Sequence, residues 1–497
     1  MSLIGPPPLS SNPLAVMLDD VRKERAATVP YPPGDLSFSL RRASQIAKDP
    51  LPALLDAYER HGPIFTLRIL HSRIVFMIGA EANHFILLSN AKRFIWREGH
   101  FRELTALLGD GLLTIDGDFH RRSRRIMLPA FHREQIEGSV ATIVTEAGRA
   151  IERLQPGERF DFFAWTRRLA LRVAMRAIFG LDPDGELARS VDAAALFPQA
   201  LSFYSHGPLP RMLRGPGSPW SRMQRARSEL NRLIYGEIAR RRASGERGLD
   251  VLSLLLDARD EDGAAFSDRQ VRDEVMTLLF AGHDTTTATL SFMFYELARN
   301  PDLQAPLRAE QEAVLGGGAT RRLPAAADLN GNGLPQLEMV LEETLRKYPP
   351  AWIGPRRSVE PFEFAGHTVP AHAYVNYSSW VTHHLPELYP EPERFDPERF
   401  TAERKAALPR GAYVPFGGGS RTCIGMRFGQ VEIRAIASML LAHCALELPE
   451  GFELRIREAP TIGPRGLPMR VCDPPRAPAR VGRLDAGGPA GAERLAA

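Results

Sequence analysis

Cysteine is scarce in this sequence: Cys423, Cys444 and Cys472 are the three in 497 residues. An odd number so thinly spread is the opposite of a disulfide framework and indicates a reducing compartment. Long apolar runs are missing too, since no stretch reaches the roughly 18 uninterrupted apolar residues of a spanning helix. The opening MSLIGPPPLSSNPLAVMLDD has neither the basic n-region nor the apolar h-region of a secretory signal. A cytoplasmic chain with no membrane anchor is expected. Excess charge is lacking as well: Lys and Arg total 63 against 59 Asp and Glu, a formal +4 that is too thin a margin to indicate nucleic acid as a partner. Lysine is nearly absent, occurring as Lys23, Lys48, Lys92, Lys347 and Lys405, so the basic side chains are almost all arginine.

What remains is ordinary globular usage, 44% hydrophobic and 25% charged, which excludes disordered, collagen-like and coiled-coil chains. The length fits two to four domains or one large core. Residues 1–35 are rich in proline and read as an extended arm lying on the body. Residues 474–497 are Pro, Gly, Ala and Arg with no apolar period and read as a disordered tail. Between them, residues 36–473 show no long linker and no repeat; Gly207 to Pro219 and Gly316 to Asn332 read as loops within one body. Most of that body has helical periodicity, with strand-like patches at Ile64 to Ile78 and Phe362 to Tyr377. The clearest helix starts at Ser267, where Gln270 three residues on completes a capping box, and runs to Asn300 before Pro301. Its middle, AGHDTTT from Ala281 to Thr287, sets glycine, a carboxylate and three β-branched hydroxyl residues where a buried helix favours Leu or Ala. Such a violation of local propensity marks a functional site.

The most specific signal is FGGGSRTCIG, Phe416 to Gly425. Cys423 follows a glycine-rich loop and precedes an amphipathic helix with Ile424, Phe428, Val431 and Ile436 in one stripe. Free amides and the positive end of the helix dipole would favour thiolate over thiol, giving a nucleophile or a soft metal ligand. The whole pattern F-x-x-G-x-R-x-C-x-G is present without a mismatch, and by it the sequence resembles the cytochrome P-450 family of haem-thiolate monooxygenases. The resemblance covers roughly residues 35–473 and implies a single, mainly α domain with a small β-rich portion. It implies haem b as cofactor, with Cys423 as axial ligand of the iron, and O2 as co-substrate. Phe416 would pack on the ligating loop, while Gly419 and Gly425 would let backbone approach the cofactor.

Other segments agree. Glu343 and Arg346 in LEETLRKYPP match the family's E-x-x-R, locked to Arg399 of PERF as a structural triad. In GDFHRRSRRIM, His120 and Arg124 fall on one helix face and match the helix that binds a haem propionate. Arg421 and Arg356 match two further propionate-binding positions, with Arg357 the neighbour to distinguish from Arg356. AGHDTT matches the oxygen-activation motif: Ala281 and Gly282 leave room for dioxygen, and Asp284 with Thr285 forms the acid-alcohol pair that relays protons. His283, at the variable position, carries no ligand role. The intact pair argues against a peroxide-driven or isomerase-type haem-thiolate enzyme, and a non-catalytic haem sensor is the remaining alternative. The 74 residues after Cys423 carry no flavin or iron–sulfur signature, so an external ferredoxin or flavodoxin with its reductase is the expected partner. Variable segments at 100–108 and 196–204, the helix face carrying Thr277, Phe280 and Ala281, and the turns at 351–353 and 461–463 are mainly apolar. They nominate Phe101, Leu104, Leu108, Phe203, Thr277, Phe280, Trp352, Ile353 and Ile462 as pocket residues for a lipophilic terpenoid, steroid, fatty acid or macrocyclic substrate. Trp352 would limit bulk near the iron.

Overall fold

The longest helix begins where the capping box puts it. Ser267 Oγ accepts from the Gln270 backbone N–H and Gln270 Oε1 accepts from the Ser267 N–H at 2.9 Å, and the helix then runs from Asp268 to Arg299. At about 1.5 Å per residue that is roughly 48 Å. The computed structural model describes residue 6 and residues 9–472, apart from 186–192, 207, 249, 260–262, 264, 318–319, 331–332 and 458–460. The tail expected at 474–497 lies outside the described residues.

Six helices carry the argument: α1 (Pro13–Arg25), α2 (Gly117–Met127), α3 (Phe162–Val173), α4 (the long helix, Asp268–Arg299), α5 (Pro335–Lys347) and α6 (Met426–His443). The fold is mainly α with small sheets, in one domain. α4 runs through its middle, packed by α3, α5 and α6. Around it one apolar cluster gathers side chains from residues 96 to 471, among them Leu108, Phe162, Phe203, Leu279 and Ile436. A second, built on Phe65, Phe76, Phe292, Trp352 and Trp380, joins α4 to the main sheet.

That sheet has six strands: β1 (Gly34–Asp35), β2 (Ile64–Ile69), β3 (Ser72–Met77), β4 (Phe94–Ile95), β5 (Gly354–Ser358) and β6 (Tyr374–Tyr377), in the order β1-β2-β3-β6-β5-β4. β2 and β3 form the hairpin foreseen at Ile64 to Ile78, with Phe65 opposite Phe76. The second foreseen patch becomes a short hairpin, Phe362–Phe364 with His367–Val369, followed by β6. β5 pairs antiparallel with β6, Arg356 opposite Val375 and Arg357 opposite Tyr374. Consecutive residues on a strand face opposite ways, and this alternation separates the two arginines.

Residues 9–35 depart from the extended arm that the prolines of residues 1–35 suggested. Asn12 caps the first turn by accepting from the Leu14 N–H, Pro13 occupies the first helical position, where a missing N–H costs nothing, and α1 follows. Its inner face is ionic. Asp20 accepts from Arg357 Nη1 at 2.9 Å and from the Tyr374 hydroxyl, and Glu24 pairs with Arg73 at 2.9 Å. Short helices also interrupt the two inferred loops, at Pro208–Met212 and Ala326–Leu329.

Candidate active site

From Val271 to Leu297 every residue of α4 is buried except Ala281, Gly282 and Thr285. Thr285 stands four residues from Ala281 and three from Gly282, the two spacings that are neighbours on a helix surface, so these three open on a single side of an otherwise enclosed stretch. Thr285 Oγ1 donates to the Ala281 carbonyl at 2.7 Å, and Thr287, Thr289 and Ser291 make the same backward bond one turn up. These bonds let hydroxyl residues sit in a buried helix without stranded polar groups.

Asp284 looks elsewhere. Its fully buried carboxylate is reached by Arg457 at 3.0 Å and Arg167 at 3.5 Å, and it accepts a hydrogen bond from the Thr461 hydroxyl. Burial alone would raise its pKa, but the two guanidinium groups outweigh it and hold the carboxyl below its ordinary range. Thr286, on a third face, donates to Glu432 of α6 at 3.3 Å. Burial pushes Glu432 up to about 8, and its second oxygen has no partner. His283 is sealed and meets the Phe197 ring edge-on at 5.5 Å.

Cys423 lies at the other wall. Its N–H donates to the Phe416 carbonyl at 2.9 Å, closing the loop, and α6 starts three residues later. Gly417 and Gly419 adopt left-handed φ of 68° and 61°; a Cβ on Gly419 would fall 2.1 Å from the Leu87 carbonyl oxygen, so glycine is required there by the backbone behind the loop. Gly425 has an ordinary φ of -89°, and its N–H points at the Cys423 sulfur. Cys423 keeps accessible surface. Burial raises its thiol pKa, against the smaller opposing pulls of the Gly425 amide and Arg124. The expectation that loop and helix dipole alone make a thiolate is therefore corrected: the fold by itself favours the thiol.

Beside the sulfur stands a cluster of cations. His120, Arg124, Arg356 and Arg421 act on one another, with Asp116 the carboxylate among them. Burial and the three guanidinium charges depress His120 to about 3, and burial with its neighbours brings Arg421 down to about 10. Arg356 belongs to this cluster, while Arg357 points the opposite way to Asp20. Arg421 is largely used within the protein, donating to Leu112 O at 3.3 Å, to Ile115 O and to Asp116. Asp116 also accepts from the Trp96 and Arg97 amides.

The foreseen triad assembles. Arg346 grips Glu343 with two bonds, 2.7 and 2.8 Å, both side chains fully buried, and Arg399 Nε lies 3.5 Å from Glu343. Arg346 also donates to the His383 carbonyl, and the His383 ring accepts from the Val414 N–H at 3.1 Å, which ties the triad to the strand of chain entering the cysteine loop.

Comparison with known proteins settles the family. The cytochrome P450 family model matches residues 33–470. The chain belongs to the cytochrome P450 family. It is 34% identical to cyclooctat-9-en-7-ol 5-monooxygenase of Streptomyces melanosporofaciens, over 91% of this chain and 96% of that one, and 32% identical to cyclooctatin synthase of the same organism, over 89% and 95%. Among solved structures, retinoic acid-bound cyanobacterial CYP120A1 superposes with a TM-score of 0.77 at 28% identity, covering 89% of this chain and 99% of that one. The protein is a cytochrome P450 monooxygenase, and no helix among the described residues is long and apolar enough to cross a membrane.

Haem is the family's cofactor, and this P450 has residues that fit it. The accessible sulfur, the open face of α4 and a cation cluster with more positive charge than Asp116 can balance suit an iron ligand, a flat ring and two carboxylates. The pocket nominations divide. Leu108 and Ile462 are wholly sealed, Leu104 and Phe203 nearly so, with Phe203 packed edge-on to Trp220. The Thr277 hydroxyl is sealed against Gly111. Trp352 packs edge-on to Trp380, and Ile353 shares that cluster. Phe101 is part-exposed, while Phe280, Trp352 and Ile353 keep 7%, 8% and 8% of their surface. Sequence reasoning missed Arg167, Arg457, Asp116, Glu432 and the part-exposed Leu113, which follows the carbonyl held by Arg421.

Proposed function

We propose that this P450 is a haem-thiolate enzyme that inserts one oxygen atom into a lipophilic terpenoid in the cytoplasm, using electrons from an external ferredoxin or flavodoxin. One observation carries the reading: from Val271 to Leu297, α4 is closed except at Ala281, Gly282 and Thr285. Haem, when bound, supplies reductive activation of O2, with one oxygen atom passing to substrate and the other leaving as water. Cys423 would offer the sulfur that holds the iron, and ligation would supply the ionisation that burial opposes. His120, Arg124 and Arg356 offer donors for the two carboxylates, with Arg421 fixing the loop above them. Ala281 and Gly282 keep side-chain bulk away from the reacting face. Thr285 holds a proton at Oγ1 on that face. Asp284 is held by the part-exposed Arg167 and Arg457, whose guanidinium groups keep their charge, so its carboxylate must loosen from Arg457 before it can accept a proton and pass it toward Thr285.

The terpenoid class draws support from two relatives named for cyclooctatin chemistry and from the apolar character of Phe101, Phe280, Trp352 and Ile353. Three free thiols support a cytoplasmic setting. Replacing Cys423 with His tests the core of the reading. The variant should hold haem, yet its reduced carbon-monoxide complex should lose the red-shifted Soret band of thiolate ligation; retention of the band refutes the assignment. Electron consumption that begins only when substrate is added distinguishes a monooxygenase from a haem sensor.

A further inference from the structure

His100 sits where the chain turns from β4 toward α2. Gly99, its predecessor, is pressed against the backbone of Pro355 and Arg356, where a Cβ would come within 3.2 Å of the Pro355 carbonyl carbon. The segment is thereby pinned to the strand that carries Arg356 into the cation cluster. The imidazole keeps part of its surface accessible. Burial holds it uncharged, at about 4.

Its two nitrogens are used unequally. Nδ1 lies 3.3 Å from Nδ2 of Asn376, a fully buried residue on β6 opposite Pro355. Nε2 has no partner among the described residues and is not sealed off. With the Asn376 amide donating, Nδ1 accepts and Nε2 carries the proton. Turning the amide over would reverse both roles, and a hydroxyl, donor and acceptor at once, satisfies Nε2 either way. On one side Phe101 meets the ring edge-on at 4.5 Å and packs against both apolar clusters, while the Arg211 charge also acts on the ring and disfavours its protonation.

We propose that His100 is a specificity-determining residue that hydrogen-bonds through Nε2 to a hydroxyl already present on the substrate, so that this enzyme prefers a lipophilic alcohol to the parent hydrocarbon. The inference rests on the terpenoid reading above and names the contact that would select within it. A neutral imidazole suits this task, because a charged group in the same place would bear a desolvation penalty against a mostly apolar ligand.

The test titrates haem-loaded enzyme with cyclooctat-9-en-7-ol and with the corresponding hydrocarbon lacking the hydroxyl, reading the haem spin-state change. His100→Phe keeps an aromatic ring and removes both nitrogens; it should weaken the alcohol about 10-fold and the hydrocarbon less than about 2-fold, the loss of one hydrogen bond. His100→Gln, which restores a polar group, should return alcohol affinity to within about 3-fold of the parent. Haem content and the carbon-monoxide spectrum establish that each variant is folded. Equal losses for both ligands, or no loss for the alcohol, overturn the assignment of His100 alone. If the parent enzyme responds to neither ligand, the terpenoid reading fails and this proposal falls with it.

Discussion

Arg346→Leu removes one half of the most deeply buried ion pair among the described residues. The guanidinium makes two bonds to Glu343 at 2.7 and 2.8 Å, and both side chains are 0% exposed. Breaking a buried pair from one side costs about 3–5 kcal/mol, because the survivor is left uncompensated. Arg346 also satisfies the His383 and Pro392 carbonyls, and leaving these short of a donor adds about 1 kcal/mol or more. The sum, about 4–6 kcal/mol, is comparable to the whole stability of a marginal protein. Arg399 offers little rescue: it approaches Glu343 only at 3.5 Å and is engaged by the Glu391 carbonyl. Burial already raises the Glu343 carboxyl against the pull of Arg346, so the variant should carry it protonated. Urea unfolding followed by circular dichroism and by haem absorbance should show a large loss of midpoint, with haem lost first, since the triad leads through His383 to Val414. Glu343→Leu combined with Arg346→Leu removes both charges and should recover about half the deficit. An Arg346→Leu variant within about 1 kcal/mol of the parent, or a double variant no better than the single one, refutes the argument.

Thr285→Ala should bind substrate and accept electrons but divert oxygen to peroxide; measured peroxide and product yields that match the parent would transfer the role to Thr286 or another group. Glu432, raised by burial to about 8, is neutral in the folded protein while an unfolded carboxyl ionises near 4.5. The unfolded chain therefore binds fewer protons between those values, and Glu432's contribution to stability falls as pH rises through that window. Glu432→Gln should remove this loss, so its urea midpoint should exceed that of the parent at pH 9 more than at pH 6; parallel pH profiles contradict the raised pKa. Electron transfer from an acidic donor should slow with ionic strength, because Arg421 and Arg427 lie within four residues of Cys423 in the chain and Arg124, beside Arg125, acts on its sulfur, and a rate indifferent to salt argues against that docking face.

Local rules made part of this structure legible. The capping box at Ser267 located the start of α4, and the cysteine loop announced itself because a tight turn needs glycine at fixed places. The strand alternation that sends Arg356 to the site and Arg357 to Asp20 was beyond reach, since register depends on which strands pair. Arg167 and Arg457 escaped for a similar reason. They lie 117 and 173 residues from Asp284 in the chain, and nothing in their neighbours marks them among dozens of arginines. Proline misled in one place: the prolines flanking residues 12–25 suggested extended chain, yet Pro13 at a first helical position begins α1. The pocket nominations mixed wall with core because apolar composition alone does not tell which side of a residue has empty space.

The ionic seam under α1 bears on how this protein tolerates handling at its N-terminal side. Arg357 is 2% exposed, rests on the Tyr374 ring and finds its carboxylate in Asp20. Trimming past Asn12 would uncap the first turn of α1, and trimming α1 away would remove Asp20 and leave a guanidinium without its counter-charge one residue from Arg356. An affinity tag appended before Asn12 leaves the seam untouched, whereas a shortened variant lacking α1 should express as a protein that sheds haem readily, with its damage seated far from the end that was cut.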